Sequence, residues 1–417
     1  MIIERNTYLN KLIARRHNGM IKIVTGLRRC GKSFLLSTIY ADWLRRQGVD
    51  DAHLIIINLE DRRNQELRDP DALLAHIDSR LGDDKMHYIM IDEIQLVPEF
   101  EDVLNSYLNM PNADVYVTGS NARFLSSQVR TEFAGRGDEI RLYPLTFSEY
   151  YSAVGKERNE ALRDYMIYGG MPQVVLKEGV EDKVEFLRAL FERTYVRDIV
   201  ERYSLKNKEI LDELLDIMAS SIGGLTNATK LANTFKSVKR ETVSRNTLAN
   251  YLDYICESFL MERAQRYDIK GKRYIDSPFK YYFADCGLRN ARLNFRQVEY
   301  AHLLENVIYN ELIARGFNVD VGVVQKMARQ DEGVRERQYL EVDFVCNQGS
   351  KRYYIQSAYR MVDEAKVKQE EASLRNIDDS FKKIIILGEY TPVLHNEAGI
   401  TTISIYDFLL KDNSLEL

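Results

Sequence analysis

The chain is 417 residues long, 45% apolar and 29% charged, with a formal net charge of −5. That length is too great for one ordinary core and predicts several domains, while the composition excludes a disordered chain. The longest apolar runs, such as "LIIIN" at 54–58 and "IIIL" at 384–387, are strand-sized and exclude a membrane-spanning helix.

The opening residues, "MIIERNTYLNKL", carry an acid early and no apolar block of the signal type, so no export signal is expected. Cys30, Cys256, Cys286 and Cys346 lie far apart without a CxxC pair, and the six histidines are scattered. Both facts argue against a zinc site or disulfide scaffold and for a cytoplasmic setting.

In chain order, the first strong signal is "IKIVTGLRRCGKSFLL". Residues 21–24 predict a short apolar strand and residues 34–43 a helix. Between them, residues 26–33 fit the GxxxxGK[ST] phosphate cradle. Its glycines let backbone N–H groups converge on phosphates, and the helix start adds its positive end. Gly26, Arg29, Cys30, Gly31, Lys32, Ser33 and Phe34 are the expected nucleotide-binding positions. Lys32 is placed to reach the β/γ-phosphates and Ser33 to hold Mg²⁺. Arg28 and Arg29 are open to three readings: phosphate contact, contact with a neighbouring subunit, or plain solvation.

A second strand, "HLIIINLED" at 53–61, is followed by "HYIMIDEIQ" at 87–95, a buried strand ending in two acids. Downstream of a phosphate cradle, Asp92 suits the Mg²⁺ ligand and Glu93 the base that orients the attacking water. The strand "DVYVTGSN" at 114–121 ends in Ser120 and Asn121, placed to sense the γ-phosphate. In "EFAGRGDEIRLYPLTFSEYY" an arginine then precedes another strand.

The P-loop, "IDE", "VTGSN", "GRGDEIRLYPLTFSEY" and "YGGMPQVV", in this order, resemble an AAA+ ATPase. More narrowly, they resemble the bacterial and archaeal predicted-ATPase branch related to STAND proteins. The resemblance implies ATP and Mg²⁺ as cofactors and hydrolysis to ADP and phosphate. In AAA+ rings an arginine at this place acts on the neighbour's nucleotide, which implies Arg136 as the finger and Arg130 as its reserve. The alternative for Arg136 is a surface salt bridge to Asp138 or Glu139. A finger acting in trans makes hydrolysis depend on assembly, so a homo-oligomer, expected to be a hexamer, follows.

Residues 162–203 read as helical, broken at Gly169-Gly170 and Pro172. Val184, Leu187, Phe191, Tyr195 and Ile199 fall at helical spacing and predict a core stripe. The resemblance makes this segment the ATPase's small helical lid. Residues 208–222 and 227–235 predict two further helices, and Ser244 caps a third whose Leu248, Leu252, Ile255 and Phe259 face inward. A hairpin with its turn at Gly271 follows. Three helices and a hairpin make a winged helix-turn-helix, whose third helix enters the major groove N-terminal end first. From Thr226 to Arg296 there are 14 Lys and Arg against 7 Asp and Glu. Lys236, Lys239, Arg240, Arg245, Asn246, Lys270, Lys272 and Arg273 are the expected DNA contacts, suited to backbone or shape recognition more than base reading.

The final third alternates helix and strand. Its Glu305 on a helix, Asp343 in "LEVDFVC" and Gln356 in "RYYIQSAY" resemble the metal-ligand positions of the PD-(D/E)xK nuclease fold. Gln356 stands where that fold has an acid, and Ala358 where it has a lysine. A neutral carbonyl gives Mg²⁺ one charge less than a carboxylate, and alanine orients no water. A degenerate, inactive nuclease site is therefore expected.

The expected fold class is α/β: an AAA+ parallel sheet with a helical lid, a winged helix-turn-helix and a restriction-endonuclease-like C-terminal domain. The domains fall at 1–150 (ATPase), 151–205 (lid), 206–296 (winged helix) and 297–417 (nuclease-like). The expected function is ATP hydrolysis coupled to binding and remodelling of DNA, branched DNA included. A STAND-like signalling or defence switch, a protein-remodelling ATPase and an active metal-dependent nuclease are the alternatives.

Overall fold

Five short apolar runs become the strands of the N-terminal unit: β1 (Ile21–Gly26), β2 (Leu54–Asn58), β3 (His87–Asp92), β4 (Ala113–Thr118) and β5 (Gly137–Leu142). They pair in the order β2-β3-β4-β1-β5, all in parallel. A parallel sheet is covered on both faces, which is why its strands read as nearly unbroken apolar runs instead of alternating ones. Ile55, Ile57, Ile89, Ile91, Val115 and Val117 share one core cluster with Leu73, Leu104 and Tyr107 of the covering helices. The computed structural model describes residues 2–119, 135–329 and 335–417, without the side chains of 327–329 and 335–337.

Register does the positioning. Gly26 pairs with Leu142, Val24 with Thr118, and Asn58 with Asp92, so the carboxyl ends of the strands lie along one edge. In open parallel sheets ligands bind at that edge. The approach of β1 to β5 is very close at Gly26: its φ is +136°, and a Cβ there would stand 2.1 Å from the Leu142 carbonyl oxygen. Only glycine fits.

The chain divides into Met1–Pro144 with Glu257–Phe259, and Leu145–Cys256 with Leu260–Leu417. In the second unit, Leu187, Phe191, Tyr195 and Ile199 of the expected stripe are buried and Val184 half-buried. Lys208–Ser220, Ala228–Thr234 and Arg245–Glu257 are helices, the last with Leu248, Leu252 and Ile255 inward and the Ser244 hydroxyl accepting from the Thr247 N–H. Phe259 is buried too, but beyond the helix, at φ +61°.

The hairpin β6 (Met261–Asp268) and β7 (Arg273–Phe283) follows these helices as expected. It belongs to a larger sheet with β8 (Asn318–Arg329), β9 (Arg335–Gln348), β10 (Lys351–Ala358), β11 (Lys382–Leu387), β12 (Leu394–His395) and β13 (Ile400–Ser404). The order is β12-β13-β11-β10-β9-β8-β6-β7. The sheet thus runs across the position, 296/297, where composition suggests a boundary. β6 pairs in parallel with β8 from Arg266–Val321 to Asp268–Val323.

The "YGGMP" segment is tied to "ADCGLRN" within the same unit. Asp285 accepts from the Gly170 N–H at 2.6 Å and caps the helix Cys286–Arg292 through the Leu288 N–H. Asn290 donates to the carbonyls of Met166 and Ile167. Burial pushes the Asp285 carboxyl up to about 6, against the pull of the backbone donors around it.

Candidate functional site

At the carboxyl edge of the first sheet, β1 gives way to the phosphate cradle and then to a helix that starts at Lys32–Phe34 and continues through Leu35–Tyr40 and Ala41–Arg46. Gly31 holds φ +103° at its start. Lys32 is 4% exposed, its ammonium donating to the carbonyls of Gly26 at 3.1 Å and Leu27 at 3.2 Å. These are neutral acceptors, which a phosphate oxygen displaces without uncovering a buried anion. Arg29 and Phe34 are exposed, and Arg28 pairs with Glu60 at 2.9 Å. The Cys30 side chain is buried with its sulfur 3.6 Å from the Leu142 carbonyl oxygen, and burial pushes its thiol up. Its contribution to the cradle is therefore its backbone.

Opposite the cradle, Asp92 ends β3. Burial raises its pKa, while hydrogen bonds from the Thr118 and Ser33 hydroxyls favour the carboxylate. The Thr118 hydroxyl donates to Asp92 Oδ1 at 2.6 Å and accepts from the Glu93 N–H at 2.9 Å. Glu93 is buried and sits at φ +56°, a left-handed conformation uncommon for any residue but glycine. Gln95 donates to its carboxylate. Sequence reasoning missed Thr118 and Gln95. The signal for Thr118 was its place at the end of β4, beside the cradle strand.

The donor set fits a magnesium nucleotide. Ser33 and Asp92, which line one pocket with Thr118, offer a hydroxyl and a carboxylate as hard oxygen ligands, and Lys32 offers an ammonium to phosphate. Ser120, Asn121 and Arg130 lie outside the described residues. Arg136 is exposed, and its carbonyl accepts from the Ile21 N–H at the start of β1. It therefore stands at the amino edge of the sheet. Six residues of strand at about 3.3 Å each separate that edge from the chain's own cradle.

The proposed DNA contacts are all exposed, but they differ in what already holds them. Lys239 pairs with Glu213 at 3.1 Å, Lys270 with Asp378 at 3.2 Å, and Arg273 stands 3.8 Å from Asp268. The charge count of 226–296 also includes three interior cations. Arg289 is fully buried on the carbonyls of Ala219 and Gln297, Arg292 is paired with Asp216, Asp212 and Glu192, and Lys280 is buried. The surface surplus is smaller than the sequence count.

Lys280 is the residue that sequence reasoning overlooked. Its ammonium lies 2.8 Å from Glu305, 2.7 Å from Glu341 and 3.7 Å from Asp343. The Tyr282 hydroxyl also donates to Glu305, and the Ser357 N–H donates to Asp343. Burial depresses the ammonium's pKa, but the carboxylates of Glu305, Asp343 and Glu341 outweigh it and hold Lys280 charged. Burial, then Glu305, pushes Asp343 well above the carboxylate range. Glu305 and Asp343 are thus brought together around a lysine. Gln356 is only partly with them: its oxygen accepts from the Asp343 N–H at 3.4 Å and the Ser373 hydroxyl at 3.3 Å, and its amide faces Glu370. Ala358 lies in an apolar cluster with Tyr354 and Leu374.

Two of the six scattered histidines do meet. His53 and His87, at the amino ends of β2 and β3, flank Asp83, with His53 Nε2 at 3.1 Å and His87 Nε2 at 3.9 Å from its carboxylate. No helix among the described residues is long and apolar enough to cross a membrane.

A five-stranded parallel sheet in this order, with a phosphate cradle after β1 and an acidic pair after β3, two strands away, is the P-loop NTPase fold of the AAA+ class. Residues 18–151 match the family model described as an AAA domain, and residues 159–299 match a Domain of unknown function (DUF8612). An uncharacterized protein of Haemophilus influenzae is 33% identical over 416 residues, covering 98% of this chain and 99% of its own. The chain belongs to the family of that protein. An uncharacterized protein of Methanocaldococcus jannaschii is 28% identical, covering 95% of this chain and 86% of its own. Among solved structures, the Aeropyrum pernix ORC1 protein in complex with DNA is 14% identical with a TM-score of 0.29, covering 70% of this chain and 92% of its own. CDC6P from Pyrobaculum aerophilum is 12% identical with a TM-score of 0.30, covering 72% and 94%. The fold assignment rests on the strand order and the AAA domain match.

Proposed function

We propose that this chain hydrolyses ATP with Mg²⁺, that a neighbouring copy completes the reaction, and that the energy acts on DNA held by the second unit. The observation that carries the first part is the Lys32, Ser33–Asp92, Thr118 and Glu93 constellation at one sheet edge. Lys32 and the cradle's N–H groups hold phosphate, Ser33 and Asp92 hold the ion, and Glu93 orients water and takes its proton. Bound ATP supplies the scissile phosphoryl group. The Glu93 backbone, fixed by Thr118 in a costly conformation, is pre-set for that role. The position of Arg136 at the opposite edge, away from its own chain's cradle, supports action on another subunit's site.

The DNA part rests on exposed Lys236, Arg240, Arg245, Asn246 and Lys272, with Lys239, Lys270 and Arg273 partly engaged. The C-terminal strands act as a non-cleaving support in this reading.

The test is steady-state ATP turnover with and without linear, forked and four-way DNA. Glu93→Gln should keep nucleotide binding and lose roughly 10²–10⁴ in turnover. DNA should raise wild-type turnover several-fold, with binding that weakens steeply in salt as phosphate contacts are lost. Reversing Lys236, Lys239 and Arg240 to Glu should abolish that stimulation. Full turnover in Glu93→Gln removes the base assignment. Indifference to every DNA removes the DNA grip and favours an ATP-driven protein switch.

A further inference from the structure

His53 is the residue before β2, and His87 is the first of β3. Because the two strands run parallel with Leu54 beside Tyr88, the histidines fall next to each other, their rings 4.9 Å apart. Both are buried, at 8% and 2% exposure, while Asp83 is exposed on the loop just before β3. One donor atom from each of the three lies within 4.8 Å of the others. His87 Nδ1 stands 2.8 Å from the Lys85 carbonyl oxygen, which can only accept. Nδ1 therefore carries a proton, and Nε2 of the neutral ring is a bare lone pair. That nitrogen lies 3.9 Å from the Asp83 carboxylate, beyond hydrogen-bonding distance, while His53 Nε2 lies 3.2 and 3.1 Å from its two oxygens. The Lys85 N–H, and after it the His53 ring, hold the Asp83 carboxyl below its ordinary value, so it is an anion at neutral pH. Two acceptors, a lone pair and a carboxylate, thus face each other across a gap that a cation would bridge. A ring whose far N–H donates to a backbone carbonyl is also the usual arrangement of a metal-bound imidazole. Tetrahedral ligands on zinc stand about 3.3–3.4 Å apart, so closure needs shifts of only about 1 Å.

We propose that His53, Asp83 and His87 form a binding site for a divalent transition-metal ion of the zinc class, with the fourth position left to water. Two imidazoles and one carboxylate suit such a borderline ion, whereas Mg²⁺ takes oxygen ligands. The exposed Asp83 gives the ion a way in. Once bound, the ion ties the loop before β3 to the starts of β2 and β3. It is a structural clasp: Asp92 ends β3 at the other side, about 16 Å along the strand, so the ion touches no part of the nucleotide site. The sequence conceals it, because Asp83 and His87 are four residues apart but His53 joins them only through strand pairing. This rests on neither the ATPase nor the DNA reading.

The experiment dialyses metal-free full-length protein, without nucleotide, against Zn²⁺ and measures zinc per chain by plasma mass spectrometry. Thermal unfolding is followed on the same samples. Wild type, Asp83→Ala, His53→Gln and His87→Gln are compared. Wild type should hold one more Zn²⁺ per chain than each variant and keep it against an excess of Mg²⁺. Zinc should also raise the wild-type unfolding temperature, as a ligand of the native state does, and leave that of the variants where it was. Equal zinc in wild type and Asp83→Ala overturns the proposal, as does release of the ion by Mg²⁺ or an equal thermal rise in Asp83→Ala. Should the buried histidine variants fail to fold, Asp83→Ala, altered at an exposed position, decides alone: loss of one zinc supports the proposal and no loss refutes it.

Discussion

Lys32 and Lys280 are both buried lysines near acids, 4% and 3% exposed, yet their partners differ in kind. Lys32 rests on two neutral carbonyls, with Asp92 engaged by hydroxyls instead. Lys280 rests on carboxylates. An ammonium on carbonyls can be drawn away by phosphate, whereas the ammonium held by Glu305, Glu341 and the buried Asp343 cannot leave without stranding their charge. The contrast teaches that burial of a lysine says little until its acceptors are known.

The sharpest way to break the contrast is at the nucleotide side. Arg136→Ala should lower turnover by about 10³–10⁵, as loss of an arginine finger does. If it works in trans, mixing Arg136→Ala with Lys32→Ala should restore activity, and wild-type turnover per subunit should fall on dilution. Constant turnover per subunit down to the monomer would remove the finger.

Stability separates the two lysines next. Lys280→Met leaves the partly buried Glu305 and the acids beside it without their cation and should cost about 3–5 kcal/mol in urea unfolding. Lys32→Ala removes bonds to neutral carbonyls and should cost only about 1 kcal/mol while abolishing turnover. Equal costs would show that the acceptors do not matter.

The smallest effect concerns Asp285, a buried acid with only backbone donors around it. Its folded pKa lies above its unfolded one, so the fold binds more protons than the unfolded chain between about 4 and 6. Stability should therefore be fullest below that window and fall as pH rises through it, by about 1–3 kcal/mol. Asp285→Asn should flatten that slope, read from urea midpoints at several pH values.

The nucleotide site was legible because its chemistry is local: the cradle and the acidic pair are short contiguous strings that also form strand ends. Thr118 was not, since its role comes from the β3–β4 pairing, which no local string encodes. Lys280 failed for another reason. In "SPFKYYFAD" it was one more positive charge in a basic segment, although strand alternation puts 280 and 282 on one face, and both meet Glu305. Arg289 and Arg292 were counted as surface charge for the same cause. The hairpin itself was foreseen, but its pairing with β8 depends on partners some 50 residues onward, beyond the reach of turn signals.

That pairing bears on how the chain can be cut. A fragment spanning 206–296 would look self-contained by composition, yet it would carry away one strand with its neighbour torn off at Arg266, Tyr267 and Asp268. Raw backbone donors and acceptors along such an edge recruit whatever strand they meet, including another copy. Anyone excising the helices to study them alone should expect clumping, and should keep residues 318–348 attached to quiet it.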